Sequence, residues 1–334
     1  MKQKILVEGK YGHGARTSWL QRKAHRVFQT KLARAEIPFD WITGFDIETK
    51  VGTIPAKNQF QADSCGGEAG SYFIAAALAF LNGKQYFEQS AKSVYSPIWY
   101  PGGGTTVPAL EQQIANKGSL DESVLSSYFN NTTTEAFMED RSWMTLSNLQ
   151  LAMAKAGWTA IPVTIEINAM AEAIRDYGGI IVEIQGQNNG TWDSTHPNPP
   201  VNNQNLWQHF LYFGKAITLN SLQVLGAFNS WGAGIGDNGK QYFTEEYVNS
   251  GYMLDVFTFV RNTPTAGYQF TQDFGFGSTG QDVIEFQKRM GITPTGTFDF
   301  WTLVALFKFE FAHHLNIFNG IVSPQIRQIL NSSN

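Results

Sequence analysis

The spacing of apolar residues changes character partway along the chain. Residues 67–81, GEAGSYFIAAALAFL, are apolar and Ala-rich and stop at Asn82-Gly83, which predicts a helix over 65–81. VPALEQQIANK at 107–117 and TLSNLQLAMAKA at 145–156 have helical spacing and a following Gly, and predict two more. The second half reads differently. GGIIVEIQG, QHFLYFGKAI and LQVLGAFNS read as strands with turn-rich breaks between them, and TWDSTHPNPPVNNQN (191–205) reads as a polar loop. Helices followed by a sheet predict an α+β domain over 37–260.

Residues 261–272, RNTPTAGYQFTQ, read as a linker. The remainder, 273–332, predicts a small all-α module of three short amphipathic helices, separated by two similar turns, TPTGTFDFWT and IFNGIVSPQI.

Composition adds boundaries. The chain has 334 residues, 43% hydrophobic and only 16% charged, enough to bury a substantial core. Its net charge of −4 gives no case for a nucleic-acid partner. Residues 1–36 form a basic arm with nine Lys/Arg against two Asp/Glu, read as a solvated or partner-bound leader. No stretch is long and apolar enough for a membrane span or a signal-peptide core, so synthesis in the cytoplasm without a standard signal is expected. Cys65 is the only cysteine, so the fold holds without an internal disulfide. A monomer without cofactor is expected.

Candidate chemistry starts at that cysteine. The thiolate is the attacking form, and a helix N-terminus favours it. Gly66 and Gly67 would let a substrate backbone approach, although a lone Cys also serves as a small buried hydrophobe. Of six histidines, His209 alone sits in an apolar strand-like run, either as a core histidine or as an imidazole held rigidly on a strand. In 229-NSWGAGIGDNG-239, Asn229 could fix the imidazole tautomer and Trp231 could cover that bond, or the segment is a Gly-rich hairpin. His313 and His314 are adjacent and so face different sides of a helix, and no metal site is predicted.

Gln59, Cys65, His209 and Asn229, in this order and rough spacing, resemble the papain-like cysteine peptidases. KNQ at 57–59 resembles the segment that carries the oxyanion-hole glutamine, and NSWGAGIGDNG the family's Asn-Ser-Trp-Gly segment. IPFDW at 37–41 resembles the start of the mature domain and PGGGT at 101–105 its double-glycine strip. The resemblance implies a two-subdomain fold, a helical half and a β-sheet half. It implies Cys65 as nucleophile, His209 as base then acid, Asn229 as its orienter, and Gln59 with the Cys65 N–H as oxyanion hole. Gly103 and Gly104 would bind substrate main chain, with Trp231 and Gly66 beside it. The chain departs from the pattern at Gly66, where an aromatic residue is usual, and in lacking the usual disulfides and a long pro-segment before IPFDW.

Residues 273–332 resemble a three-helix peptidoglycan-binding module. Gly277, Gly280, Val283, Phe286 and Gln287, then Gly296 and Phe298, then Gly320, Ile321 and Pro324 carry the likeness. Trp301 and the Phe298-Asp299 pair depart from it. Together the two resemblances imply a cysteine peptidase directed to bacterial cell wall, of phage-lysin or delivered-toxin type, acting at the wall after release or from a virion. The alternatives are a general protein-cleaving peptidase anchored by the module, a non-catalytic protein of the same fold, and a protein-binding adaptor.

Overall fold

The computed structural model describes Ala15, residues 37–187, Trp192, Asn198 and residues 206–262, 268–315 and 317–332. The rest of the basic arm, most of the 191–205 loop with His196, and the middle of the 261–272 stretch lie outside the described residues, as do His13 and His25.

One antiparallel sheet organises the body. Its strands are β1 (Phe45–Asp46), β2 (Trp158–Pro162), β3 (Ile180–Gln187), β4 (Leu206–Leu219), β5 (Leu222–Phe228), β6 (Lys240–Thr244) and β7 (Met253–Arg261). They lie in the order β2-β7-β3-β4-β5-β6, with β1 added to β4. Asn220 and Ser221 both have positive φ (49° and 66°) and close β4 onto β5, as a two-residue hairpin requires. That turn sets the register from Leu219↔Leu222 to Lys215↔Gly226, and a bulge at Gly214 shifts it by one for Phe213↔Ala227 and Tyr212↔Phe228.

The helix Cys65–Asn82 packs into the same core as the sheet. It is buried along most of its length, because apolar residues surround it rather than forming a stripe. Tyr72, Phe73, Ile74, Ala76 and Ala77 join Tyr212, Phe228 and Phe259 in the main apolar cluster. The helix ends at Gly83 in the left-handed region, φ 58°.

Gly66, Gly67 and Gly70 are packing positions. A Cβ at Gly66 would sit 2.4 Å from Thr105 Cγ2 and 3.4 Å from the Phe210 ring; at Gly67, 2.6 Å from Tyr95 Cβ. At Gly70 it would touch Leu110 and Val94. The glycines let the helices Ala91–Tyr95 and Val107–Asn116 close onto the Cys65 helix. The space an aromatic side chain after Cys65 would need is filled by Thr105.

The third predicted helix is shorter than expected, Leu146–Met153. A helix at Ile167–Tyr177 and the strands β2, β6 and β7 are additional to the sequence reading.

A second apolar cluster is built by the helices Gln281–Arg289, Phe300–Ala312 and Pro324–Ser332. The two-residue strands β8 (Phe274–Gly275) and β9 (Ile321–Val322) pair antiparallel beside them. Val283, Phe286, Phe298, Leu306, Ile326 and Leu330 fill this core. Phe270 belongs to it too, with Tyr268 packed against it. The end of the stretch read as linker is therefore part of this core. Buried Gln287 staples the first turn: its Nε2 donates to Thr297 O and Thr302 Oγ1, and its Oε1 accepts from Gly296 N. The unit rests against the helical half of the body. Thr293 Oγ1 donates to Asn116 Oδ1, Lys117 Nζ lies 4.0 Å over the Trp301 ring, and Gly157 meets the Gly291 backbone.

No helix among the described residues is long and apolar enough to cross a membrane.

Candidate active site

Backbone pairing between two distant segments assembles the site. Gln59 N donates to Ser230 O (2.7 Å) and Gly232 N to Lys57 O (2.8 Å), with an antiparallel bridge at Asn58↔Trp231. Tyr72, two turns along the Cys65 helix, ties this pairing down. Its hydroxyl accepts from Lys57 N (2.6 Å) and donates to Pro55 O (3.0 Å). The KNQ and NSWG segments are thus held together over the start of one helix.

Cys65 is the first residue of that helix, and Phe210 N donates to its Sγ at 3.4 Å. The contact clamps β4 to the first turn of the Cys65 helix one residue beyond His209. His209 Nε2 lies 2.8 Å from Asn229 Oδ1. The same oxygen accepts from Ser230 N (2.7 Å), while Asn229 Nδ2 donates to Gln241 Oε1 (2.7 Å). A backbone N–H can only donate, so the atom facing Ser230 and His209 is the amide oxygen. His209 Nε2 therefore carries a proton, and in the neutral ring Nδ1 carries the lone pair.

Trp231 stacks on the imidazole, with ring centroids 4.7 Å apart, and Trp207 meets it edge-on at 5.9 Å. Trp192 packs on both tryptophans. Trp231 is buried within this cluster. It covers the His209–Asn229 bond from water.

Gln59 is also fixed. Ser230 Oγ donates to its Oε1 (2.6 Å), and its Nε2 donates to Ala62 O (2.7 Å). Its NH₂ end is thereby oriented on the loop that leads into Cys65.

The glycine strip departs from expectation. Gly102, Gly103 and Gly104 all have positive φ. The Gly104 N–H donates to the Tyr95 hydroxyl (2.8 Å) and its carbonyl accepts from Tyr100 N (2.8 Å), so its main-chain donor is committed inside the protein. The Asp63 carboxyl lies across Gly103, where a Cβ would be 2.2 Å from Oδ2. The next residue, Thr105, forms a parallel bridge with Ala15. Cys65 and His209 are both fully buried.

Two features of the site lie outside the sequence reading. Gln241 holds Asn229 from behind. Glu68, one turn along the Cys65 helix, is fully buried, with the Ser64 hydroxyl as its hydrogen-bonding neighbour and no cation paired with its carboxyl among the described residues. Burial pushes its pKa from the ordinary 4.5 to about 7, against the opposing pull of Lys57. Lys57 itself is paired with Glu88 (3.1 Å) and with Gln89 O.

The described residues contain no group of three or more His, Cys, Asp or Glu placed to hold a metal ion. His313 stacks on Phe309, with ring centroids 4.1 Å apart.

No family model and no curated protein matches the sequence. Solved structures do match in fold. Xylellain, a cysteine protease from Xylella fastidiosa, superposes with a TM-score of 0.59 at 12% identity, covering 76% of this chain and 97% of that one. Procathepsin B S9 from Trypanosoma congolense gives 0.57 at 11%, covering 75% and 85%. Digestive procathepsin L 3 from the larval midgut of Tenebrio molitor gives 0.55 at 16%, covering 70% and 73%. The body has the papain-like α+β fold.

Proposed function

We propose that this chain is a cysteine peptidase that hydrolyses amide bonds through Cys65, His209 and Asn229, and that its target is the peptide part of bacterial peptidoglycan. The observation that carries the catalytic reading is the His209 Nε2 to Asn229 Oδ1 bond at 2.8 Å, one residue from the Phe210 N–H seated on Cys65 Sγ. A lone cysteine serving only as filler would not account for an imidazole with its tautomer fixed beside it.

In this reading His209 Nδ1 takes the thiol proton, and the helix N-terminus stabilises the resulting thiolate. Cys65 Sγ attacks the carbonyl carbon. The oxyanion is met by the Cys65 N–H and a Gln59 Nε2 hydrogen, a kind of interaction worth about 3–4 kcal/mol per donor. The C–N bond breaks as His209 returns its proton to the leaving amine, which leaves a thioester on Cys65. Water then attacks the thioester with His209 as base. The carboxylic acid leaves and the thiol is restored.

Support for the wall target is the sequence likeness of 273–332 to a peptidoglycan-binding module, together with that region's own apolar core. A module of this kind raises the local concentration of an enzyme on a polymer. A protein substrate is the second reading, favoured by the fold shared with xylellain, which is named a cysteine protease.

Digestion of purified peptidoglycan by wild type and by Cys65→Ala, read by mass spectrometry of the soluble fragments, tests the proposal. Peptide-bond cleavage by wild type alone is expected. Loss of the nucleophile should cost at least about 10⁴-fold in rate. Binding without cleavage, alongside Cys65-dependent cleavage of a denatured protein, would move the target to proteins. No cleavage of either would sink the peptidase reading.

A further inference from the structure

The imidazole side of the site extends one residue beyond Asn229. Gln241 lies in β6, fully buried, and its two ends are occupied in one way only. Its Nε2 donates to the Trp192 main-chain oxygen at 2.7 Å. A carbonyl oxygen can only accept, so the nitrogen end of the Gln241 amide must face Trp192 and the oxygen end must face Asn229. Gln241 Oε1 in turn requires a donor, which is Asn229 Nδ2. From there the chain runs through Asn229 Oδ1 to His209 Nε2. A main-chain acceptor at one end and the Ser230 main-chain donor at the other thus fix every amide orientation between them.

We propose that Gln241 is a positioning residue for the Cys65–His209 pair: it holds the Asn229 amide so that His209 keeps its neutral-state proton on Nε2 and its lone pair on Nδ1. This rests on the peptidase reading for its purpose, but the wiring itself is independent of any substrate. Gln241 touches neither His209 nor Cys65 in the hydrogen-bond network, so its effect passes through Asn229. The surroundings make its role costly to replace. Tyr242 and Phe243 follow it on β6, and Phe243 packs on Trp192. Without Gln241, Asn229 Nδ2 becomes a buried donor with its acceptor removed. The amide is then held from its oxygen end alone, by Ser230 N–H and the imidazole, and loses the contact that fixes its position behind them.

Two variants separate positioning from packing. Gln241→Leu keeps an apolar side chain of similar size and removes the acceptor. Gln241→Glu behaves as the amide does only while protonated, when its O–H donates to Trp192 O and its C=O accepts from Asn229. Once ionised it presents an oxygen without a proton to the Trp192 carbonyl. The readout is the pH dependence of Cys65 alkylation by iodoacetamide on the folded full chain, which reports the thiolate and needs no turnover. Circular dichroism at each pH confirms folding.

For Gln241→Leu the alkylation rate at neutral pH should fall at least tenfold, with its rising limb displaced from that of wild type. For Gln241→Glu the rate should fall with rising pH through a range where the wild-type rate climbs. If the leucine variant fails to fold, the glutamate variant carries the test. Profiles that overlay wild type in folded protein would overturn the inference. Shifted profiles in a protein that cleaves neither wall nor protein would retain the wiring and reject the peptidase reading.

Discussion

The two sides of the candidate site bury polar groups in opposite ways. On the imidazole side, His209, Asn229 and Gln241 are all fully buried, and the Asn229 and Gln241 amides find both a donor and an acceptor. On the Cys65 side, Glu68 is buried to the same degree, yet no cation pairs with its carboxyl among the described residues and only the Ser64 hydroxyl offsets its burial by hydrogen bonding. Burial alone does not decide what a polar residue does. A satisfied amide network holds one geometry over a wide pH range. A buried carboxyl without a paired cation lowers its cost by keeping its proton. The first arrangement suits a tautomer that must not change, and the second makes the Cys65 helix sensitive to pH.

The largest effect should come from breaking the satisfied side. Asn229→Ala leaves His209 Nε2–H, Ser230 N–H and Gln241 Oε1 without the group that joins them. Hydrolysis should fall by about 10³-fold, or about 4 kcal/mol in the barrier. The decline should be mainly in kcat, with thermal unfolding moved far less. A variant that keeps more than a tenth of wild-type kcat would show that Trp231 stacking alone positions the ring.

Glu68 gives the next effect, and it is one of stability. Its pKa in the folded protein, about 7, lies above its ordinary 4.5, so the fold favours the neutral form. Below pH 4.5 the group carries no penalty. From 4.5 to 7 the unfolded chain ionises while the folded chain does not, so stability falls as pH rises, and above 7 the loss is complete. The decline is about 3 kcal/mol at 1.36 kcal/mol per pH unit. Glu68→Gln should remove this slope, seen by denaturant titrations at several pH values between 4 and 8. A slope that persists in the glutamine variant would assign it to other groups in the same cluster, of which Glu122 is also pushed upward by burial.

This contrast also marks what was legible in the sequence. The Cys65 helix was, because an Ala-rich apolar run ending in Asn-Gly admits few other structures. Gln59, Cys65, His209 and Asn229 were found because each stands in a distinctive local pattern, and the structure brings all four segments together. Gln241 was not, since a polar residue in KQYFT alternates as a surface position does, and its partner Trp192 lies 49 positions away. Glu68 was missed for a similar reason: an acid in the first turn of a helix is ordinarily solvated and favourable there. Gly66 and Gly67 were read as room for substrate because nothing local announces that Thr105 and Tyr95 fill that room. In each case the missing information is a contact made by a distant segment.

The smallest predicted effect concerns access to the buried pair. Cys65 and His209 are both fully covered, and Thr105, which packs on Gly66, is bridged by Ala15 from the basic arm. Ala15 is itself 5% exposed and part of the main apolar cluster. A substrate strand laid along the Gly103–Thr105 edge would meet Ala15 on the same backbone groups. If substrate binds there the two compete, and weakening the Ala15 contact should then raise activity rather than lower it. Ala15→Glu places a charge where there is no room to solvate it, at a cost that drives the residue out. Its kcat/KM on a fluorogenic peptide should rise by about tenfold, or about 1.4 kcal/mol, while Ala15→Gly, which still fits the bridge, should change it little. Equal activity in all three proteins would mean that the bridge at Thr105 lies clear of the substrate path. The burial of Cys65 would then have to be relieved from the imidazole side, which the Asn229 and Gln241 amides hold in place.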